Sequence, residues 1–207
     1  MTIYWLGGSP CAGKTTISEI IAQEFGWQVY HLDRHVERYL QRATPQHQPH
    51  LTAYKQMGLQ AFLLQASHTQ LTQVLSISAE QFPFILEDLS NLSQNKPILV
   101  EGANMRPVDV RQQINQPSQA LWMVPTEAFQ LDTYPKRGSW VQDVLRRYDT
   151  PDEGIRAFER WMQRDALMAQ HSAEQARQQG IRVIVVDGKR SLFDNAEIVM
   201  RHFGLLS

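Results

Sequence analysis

The chain has 207 residues, 43% of them hydrophobic and 20% charged, which is enough apolar material for a packed interior and argues against disorder. Its 20 Lys and Arg against 21 Asp and Glu give a formal net charge of -1, so no overall field favours nucleic acid or an anionic membrane, and anion binding has to be local. A single cysteine excludes an intrachain disulfide framework, no apolar run reaches the ~18–20 residues of a membrane span, and the N-terminus lacks a basic export region; the expectation is a cytoplasmic protein, monomer or homodimer, with residues 1–207 in one domain.

Thr2-Ile3-Tyr4-Trp5-Leu6 is β-branched and aromatic and runs into Gly7-Gly8, which predicts a buried strand over 2–7. Ile17, Ile20, Ile21, Ala22 and Phe25 then recur at helical spacing, with Gly26 placed as a C-cap, so a helix is expected over 14–25. Between strand and helix lies Gly8-Ser9-Pro10-Cys11-Ala12-Gly13-Lys14-Thr15, followed by Thr16. Gly-x4-Gly-Lys-Thr in a strand–loop–helix setting is a phosphate-binding loop. Its glycines let backbone N–H groups turn inward around phosphate oxygens. Lys14 supplies a point charge to the β and γ phosphates, Thr15 offers a hydroxyl to Mg²⁺, and the helix N-terminus adds partial positive charge. Cys11 is expected to be a small spacer: a Cys-x5-Arg phosphatase loop would need arginine where Ile17 stands.

Residues 27–32 read as a second strand with Asp33 at its carboxyl end. Two roles stay open for Asp33: general base toward an acceptor hydroxyl, or N-cap of a helix starting near Arg34. From 34 to 96 the pattern is helical and Gln-rich, broken by a Pro-bounded loop at 44–50, and Ser78 with Gln81 suggests a capping box for a helix ending near Leu92. Short unalternating apolar runs at 97–101 and 120–124 predict strands covered on both faces. Glu101 ends the first of these where a carboxylate can hold Mg²⁺ directly or through water, and Gly102 beside it would leave room for ligand. Thr150-Pro151-Asp152-Glu153 opens a helix expected to end at Gln179 before Gly180. A last strand at 181–186, Asp187-Gly188 and a helix from 192 to 203 complete the chain. Alternating strands and helices predict an α/β fold of three layers: a mainly parallel five-stranded sheet with helices on both faces and ligands at the strands' carboxyl ends.

These segments resemble the P-loop nucleoside, nucleotide and small-molecule kinases, the relatives of adenylate, shikimate and gluconate kinases and of antibiotic phosphotransferases. The resemblance rests on the phosphate loop, His31-Leu32-Asp33 and Val100-Glu101-Gly102, of which only the first is highly specific, and it spans nearly the whole chain. It implies transfer of a phosphoryl group from ATP with Mg²⁺ to a small-molecule acceptor. It further implies an arginine-bearing helical lid after strand four, at about 126–165. Lys136, Arg137, Arg146, Arg147, Arg156, Arg160 and Arg164 are its candidates, Arg146-Arg147 first among them. The adenine would lie against the loop containing Asp187 and Gly188. The guanine signature of GTPases is missing, since Asn95-Lys96 continues as Pro97-Ile98. The long insertion at 34–96 departs from better-known members; it is expected to bind the acceptor, with Arg34, Tyr39, Tyr54, Lys55, Phe62 and Arg106 as candidate contacts. Two other readings are compatible with the same loop: a nucleotide-dependent switch or regulatory ATPase working through a partner, and a toxin-like or RNA-modifying kinase, which the balanced charge disfavours.

Overall fold

Strands that carry bulky apolar side chains on both faces need a helical layer on each side. That is the arrangement in the structure, a computed structural model, which describes residues 2–92 and 95–206. Strands β1 (Ile3–Gly8), β2 (Gln28–His31), β3 (Ile98–Glu101), β4 (Ala120–Pro125) and β5 (Arg182–Val186) form one sheet in the order β2-β3-β1-β4-β5. Every pairing is parallel. Residues alternate between layers: Trp5, Val100 and Trp122 pack on one face, Leu6, Leu99 and Met123 on the other.

The second face is closed by α1 (Lys14–Phe25) and α9 (Leu192–His202), through Ile17, Ile21, Ala196 and Val199. On the first face lie α2 (Val36–Arg42), α3 (Pro49–Leu63), α4 (Ser67–Ser90), α5 (Pro107–Arg111) and the 28-residue α8 (Pro151–Gln178). Between β4 and α8 come α6 (Glu127–Thr133), a 3₁₀ turn at Tyr134–Lys136 and α7 (Ser139–Leu145). A further apolar cluster joins these to the insertion: Phe62, Leu63 and Val74 meet Tyr134, Val141, Trp161 and Met168.

Most expected elements are present within a residue or two of their expected bounds. Thr150 caps α8 by accepting from the Glu153 backbone N–H at 3.3 Å, and Gly26 closes α1 in a left-handed conformation. The expected capping box at Ser78 and Gln81 is not formed. Both residues lie inside α4, which runs unbroken from Ser67 to Ser90 through Pro83, and both are buried. Where a break was not foreseen, α3 bends at Gly58, whose φ of 78° and ψ of 162° leave the helical region.

A polar clamp holds the insertion to the sheet edge. Tyr30 on β2 and Tyr39 on α2 both donate to Asp88 Oδ2 on α4, the latter at 2.7 Å, and Arg38 pairs with the same oxygen. Burial pushes the Asp88 carboxyl up, but the two hydroxyls and Arg38 outweigh it and hold its pKa below the ordinary aspartate range. Both tyrosines are buried and their hydroxyls also bond to each other, so deleting the acceptor leaves one of the two donors without a partner. Asp88→Ala is expected to cost about 2–3 kcal/mol in chemical denaturation, and Tyr39→Phe, which leaves Tyr30 with its acceptor, about 1 kcal/mol.

Candidate functional site

The phosphate loop is built from backbone strain that the sheet enforces. Its φ values at Gly8, Cys11 and Gly13 are +128°, +66° and +82°, Cys11 being the only non-glycine residue with positive φ among those described. At Gly8 a side chain is sterically impossible: an added Cβ would lie 1.9 Å from the Met123 carbonyl oxygen. The Ser9 N–H donates to that same oxygen at 3.1 Å, which fastens the loop's entry to β4. At its exit Gly13 precedes α1 without any side-chain cap, so the first N–H groups of that helix point out unpaired, the arrangement that binds anions. Lys14 is only 6% exposed and its Nζ donates to the Ser9 carbonyl at 2.7 Å. Burial lowers its pKa, with Glu101 and Asp33 opposing.

Sheet register brings the next residues in. His31 and Leu6 are the partners of Glu101 on the two strands flanking β3. His31 Nδ1 donates to Glu101 Oε1 at 2.7 Å, and Thr15 Oγ1 lies 3.3 Å from both carboxylate oxygens. Glu101 is therefore aimed at the start of α1 by a histidine behind it. Among the described residues no group of three or more His, Cys, Asp or Glu could hold a metal by itself. A cation between Thr15 and Glu101 would need phosphate or water oxygens to complete its shell, which is the usual situation for Mg²⁺.

Asp33 stands in a 3₁₀ turn at Leu32–His35; neither that turn nor α2 has a side-chain cap, so Asp33 is not an N-cap. Asp33 is an exposed residue that lines the cavity, where surrounding protein still desolvates its carboxyl. Burial pushes its pKa up, while Lys14 pulls it down and Glu101 adds to the rise. Gly102 is small for a packing reason: a Cβ there would come 2.8 Å from the Leu32 Cβ and 3.7 Å from Asp33 Oδ1, so the space foreseen for ligand is filled by Leu32.

A cavity of about 590 Å³ extends from the loop into the space between the insertion and the segment joining β4 to α8. It is lined by residues 10–16, Asp33 and Glu101, by Arg137, Arg164 and Asp165, and by aromatic and aliphatic side chains of α3, α4 and α8. Of the seven basic candidates named after β4, Arg137 and Arg164 line this cavity and the pair named first does not. Arg146 and Arg147 are exposed and do not line it, Arg146 lying 3.5 Å from Asp143. Arg137 reaches it instead, its guanidinium held over the rings of Tyr134 and Trp140 at 5.3 and 5.8 Å. Arg34 is exposed, 3.8 Å from Glu19, and Arg106 forks onto Asp109 with two 2.6 Å bonds; neither lines the cavity. Tyr39 is engaged in the Asp88 clamp and Lys55 is not at the cavity, whereas Tyr54 and Phe62 are. Asp187 and Gly188 also lie outside its lining, on a turn where Asp187 accepts from the Lys189 N–H at 3.1 Å. That turn leads into α9, whose Leu192 would be 2.9 Å from a Cβ on Gly13.

Of the lining groups that the sequence reading did not place here, Asn104 and Thr133 among them, two are buried and polar or charged. Asp165 is 3% exposed; burial pushes its pKa up and Arg164 opposes. Arg164 Nε lies 2.7 Å from Asp165 Oδ1 in an ion pair not aligned as a hydrogen bond, and Oδ2 lacks a hydrogen-bond partner among the described residues. Gln81 is the other. The signal for both was helical periodicity: Trp161, Arg164, Asp165 and Met168 form one face of α8, Val74, Ile77 and Gln81 one face of α4. Cys11 also touches this region, and burial raises its thiol pKa above the ordinary value, which fits a spacer rather than a nucleophile.

No family model matches the chain, and no curated protein does. Similar solved structures include a gluconokinase from Sinorhizobium meliloti 1021, 13% identical with a TM-score of 0.49 over 98% of this chain and 91% of that one. Deoxyadenosine kinase from M. mycoides with bound dATP is 15% identical, TM-score 0.48, over 99% and 100%. Shikimate kinase from Acinetobacter baumannii in complex with shikimate is 15% identical, TM-score 0.44, over 97% and 92%. The fold is a three-layer α/β fold with a parallel five-stranded sheet and a phosphate loop after its first strand. That statement rests on this chain's own sheet order and phosphate loop, and at these TM-scores the likenesses add no argument about its activity.

The Arg164–Asp165 pair generates a stability prediction. Removing one member of a buried pair leaves an uncompensated charge, whereas replacing both by apolar groups of similar size does not. Asp165→Ala is expected to lose about 3–5 kcal/mol, and the double variant Arg164→Met with Asp165→Leu to lose less than either single change, as read by denaturant midpoints with ATP absent.

Proposed function

We propose that the protein is an ATP-dependent kinase that phosphorylates a hydroxyl group of a small molecule, and that the cavity described above holds donor phosphates at one end and acceptor at the other. The observation that carries this reading is the continuity of a single cavity from the phosphate loop past Asp33 to the apolar interior of the insertion. A nucleotide switch has no use for an apolar chamber continuous with its phosphate loop.

The residues present suit Mg²⁺–ATP: a loop of inward backbone turns with no room for side chains at Gly8, a buried lysine, and a hydroxyl facing a carboxylate. Bound there, Mg²⁺–ATP would supply the transferable γ-phosphoryl group and neutralise charge on its oxygens. Lys14 would release the Ser9 carbonyl and turn its ammonium to phosphate, where the anion favours its charged form. Thr15 and Glu101 would bear on the metal, with His31 as a positioning residue that orients Glu101. Asp33 would take the proton of the acceptor hydroxyl as that oxygen bonds to the γ-phosphorus and the bridge to the β-phosphate opens, leaving ADP and a phosphate ester. Arg137, whose guanidinium is prepositioned by two aromatic rings, is the lid group best placed to stabilise charge on the transferring oxygens; Arg146 and Arg147 would have to move to do so.

The test is phosphoryl transfer itself, followed as mass gain in pooled small alcohols incubated with the protein, Mg²⁺ and ATP. Lys14→Ala is expected to abolish ATP binding and transfer; full activity in that variant would sink the assignment. Asp33→Asn is expected to lower kcat by roughly 10²-fold or more. Activity requires Asp33 without its proton, so the rate should rise with pH through that group's pKa. Because burial raises it, the acid limb of kcat/KM for the acceptor should fall above the ordinary aspartate value of 3.8, and the limb should vanish in Asp33→Asn.

A further inference from the structure

The acceptor end of the cavity has a chemical character of its own. Of the six charged residues that line the cavity, Lys14, Asp33, Glu101, Arg137, Arg164 and Asp165, none comes from the insertion. The insertion's contribution is apolar or neutral throughout, dominated by Leu51, Tyr54, Phe62, Val74 and Ile77, with Met168 of α8 beside them. The nearest cation, Arg164, is already engaged by Asp165 at 2.7 Å and sits 5.8 Å over the Phe62 ring. An anionic acceptor would thus find no free counter-charge in this half, and would face the carboxylates of Asp33 and Glu101 at its reacting end. Desolvating an unpaired anion costs several kcal/mol, so such a ligand is selected against.

Within this apolar half stands one unsatisfied polar group. Gln81 is 1% exposed, lines the cavity from α4, and its Oε1 has no hydrogen-bond partner among the described residues. A buried amide without a partner is costly in the empty protein and becomes useful when a ligand supplies the partner. Whichever way the amide is turned, it offers one acceptor and one donor group side by side.

We propose that the acceptor is an uncharged molecule with a rigid apolar or ring-shaped body, whose hydroxyl is presented to Asp33 and whose far edge carries a hydrogen-bonding group read by Gln81. This rests on the kinase reading above and narrows it: sugar acids, carboxylates and nucleotides are excluded by charge, and uncharged ring alcohols, nucleosides among them, are admitted. The apolar body provides affinity through burial, and Gln81 provides discrimination, because an apolar analogue lacking the polar edge would leave the amide unpaired.

The experiment offers the full chain, with Mg²⁺ and ATP, two matched pools. One holds uncharged ring alcohols: nucleosides, phenyl-1,2-ethanediol and polycyclic alcohols. The other holds their anionic counterparts: nucleoside 5′-monophosphates, mandelate and sugar acids. Phosphoryl gain confined to the first pool is the expected result; gain in the second overturns the proposal while leaving the kinase reading intact. No gain in either, with ATP still bound, overturns the kinase reading and the proposal with it. For an acceptor so found, Gln81→Leu should lower kcat/KM by about 10-fold or more with KM for ATP unchanged; an unchanged acceptor kcat/KM removes Gln81 from the site. A readout independent of any variant is the melting temperature of the native chain, which the same acceptor should raise and its anionic counterpart should not.

Discussion

Everything at the carboxyl edge of the sheet depends on how closely the phosphate loop approaches β4. Only a residue without a Cβ can sit at Gly8 against the Met123 carbonyl, and the Ser9 N–H bonds to that same oxygen. The contact sets where α1 begins, and so where Lys14 and Thr15 stand relative to β3. Register does the rest: His31, Glu101 and Leu6 occupy one row across β2, β3 and β1, which lets a histidine brace the carboxylate that faces Thr15. A shift of one residue in β3 would turn Glu101 to the opposite face of the sheet, and the loop would lose its acid.

What could be read from the sequence follows from how local each cause is. The loop, α1 and the start of α8 are written in short-range terms: glycines at fixed spacing, a threonine–proline cap, an apolar run of strand length. Their expected and observed bounds agree to within a residue or two. The capping box at Ser78 and Gln81 failed because the same short-range pattern lies inside a helix already propagating from Ser67, where the backbone N–H groups have partners. Arg146 and Arg147 stand first among the basic candidates on sequence grounds, yet the arginine that lines the cavity is Arg137, held by Tyr134 and Trp140 through tertiary contact. Asp165 and Gln81 are polar residues on otherwise apolar helix faces, and nothing in the sequence says that those two faces meet over one cavity.

The two ends of that cavity are made by different physics. At the sheet edge the cavity gathers three cations and three anions, each shifted or braced by its neighbours, and the backbone supplies further dipoles. Such an assembly is tolerable because the charges compensate, and it is prepared for a ligand that brings more charge of its own. Between the insertion and α8 the contacts are mostly apolar, with Phe62, Trp161 and Tyr134 in a shared cluster, and Arg160 donates to the Leu64 carbonyl across the same boundary.

Placement of Arg164 and Asp165 at the border of these two regions has a consequence for selectivity. The pair satisfies most of its own charge internally, so the border presents little net field to the apolar half, while Asp33 on the other side remains open to the cavity. An acceptor of the kind proposed would therefore be oriented by shape and by the Gln81 amide at one end, and by its hydrogen bond to Asp33 at the other, with no ionic anchor between. Such a site gains specificity from rigid geometry, since no strong single contact compensates for a poor fit. The Asp88 clamp is consistent with that need, because it ties α2 and α4, and with them the wall that carries Gln81, to the same strand that positions His31 and leads into Asp33.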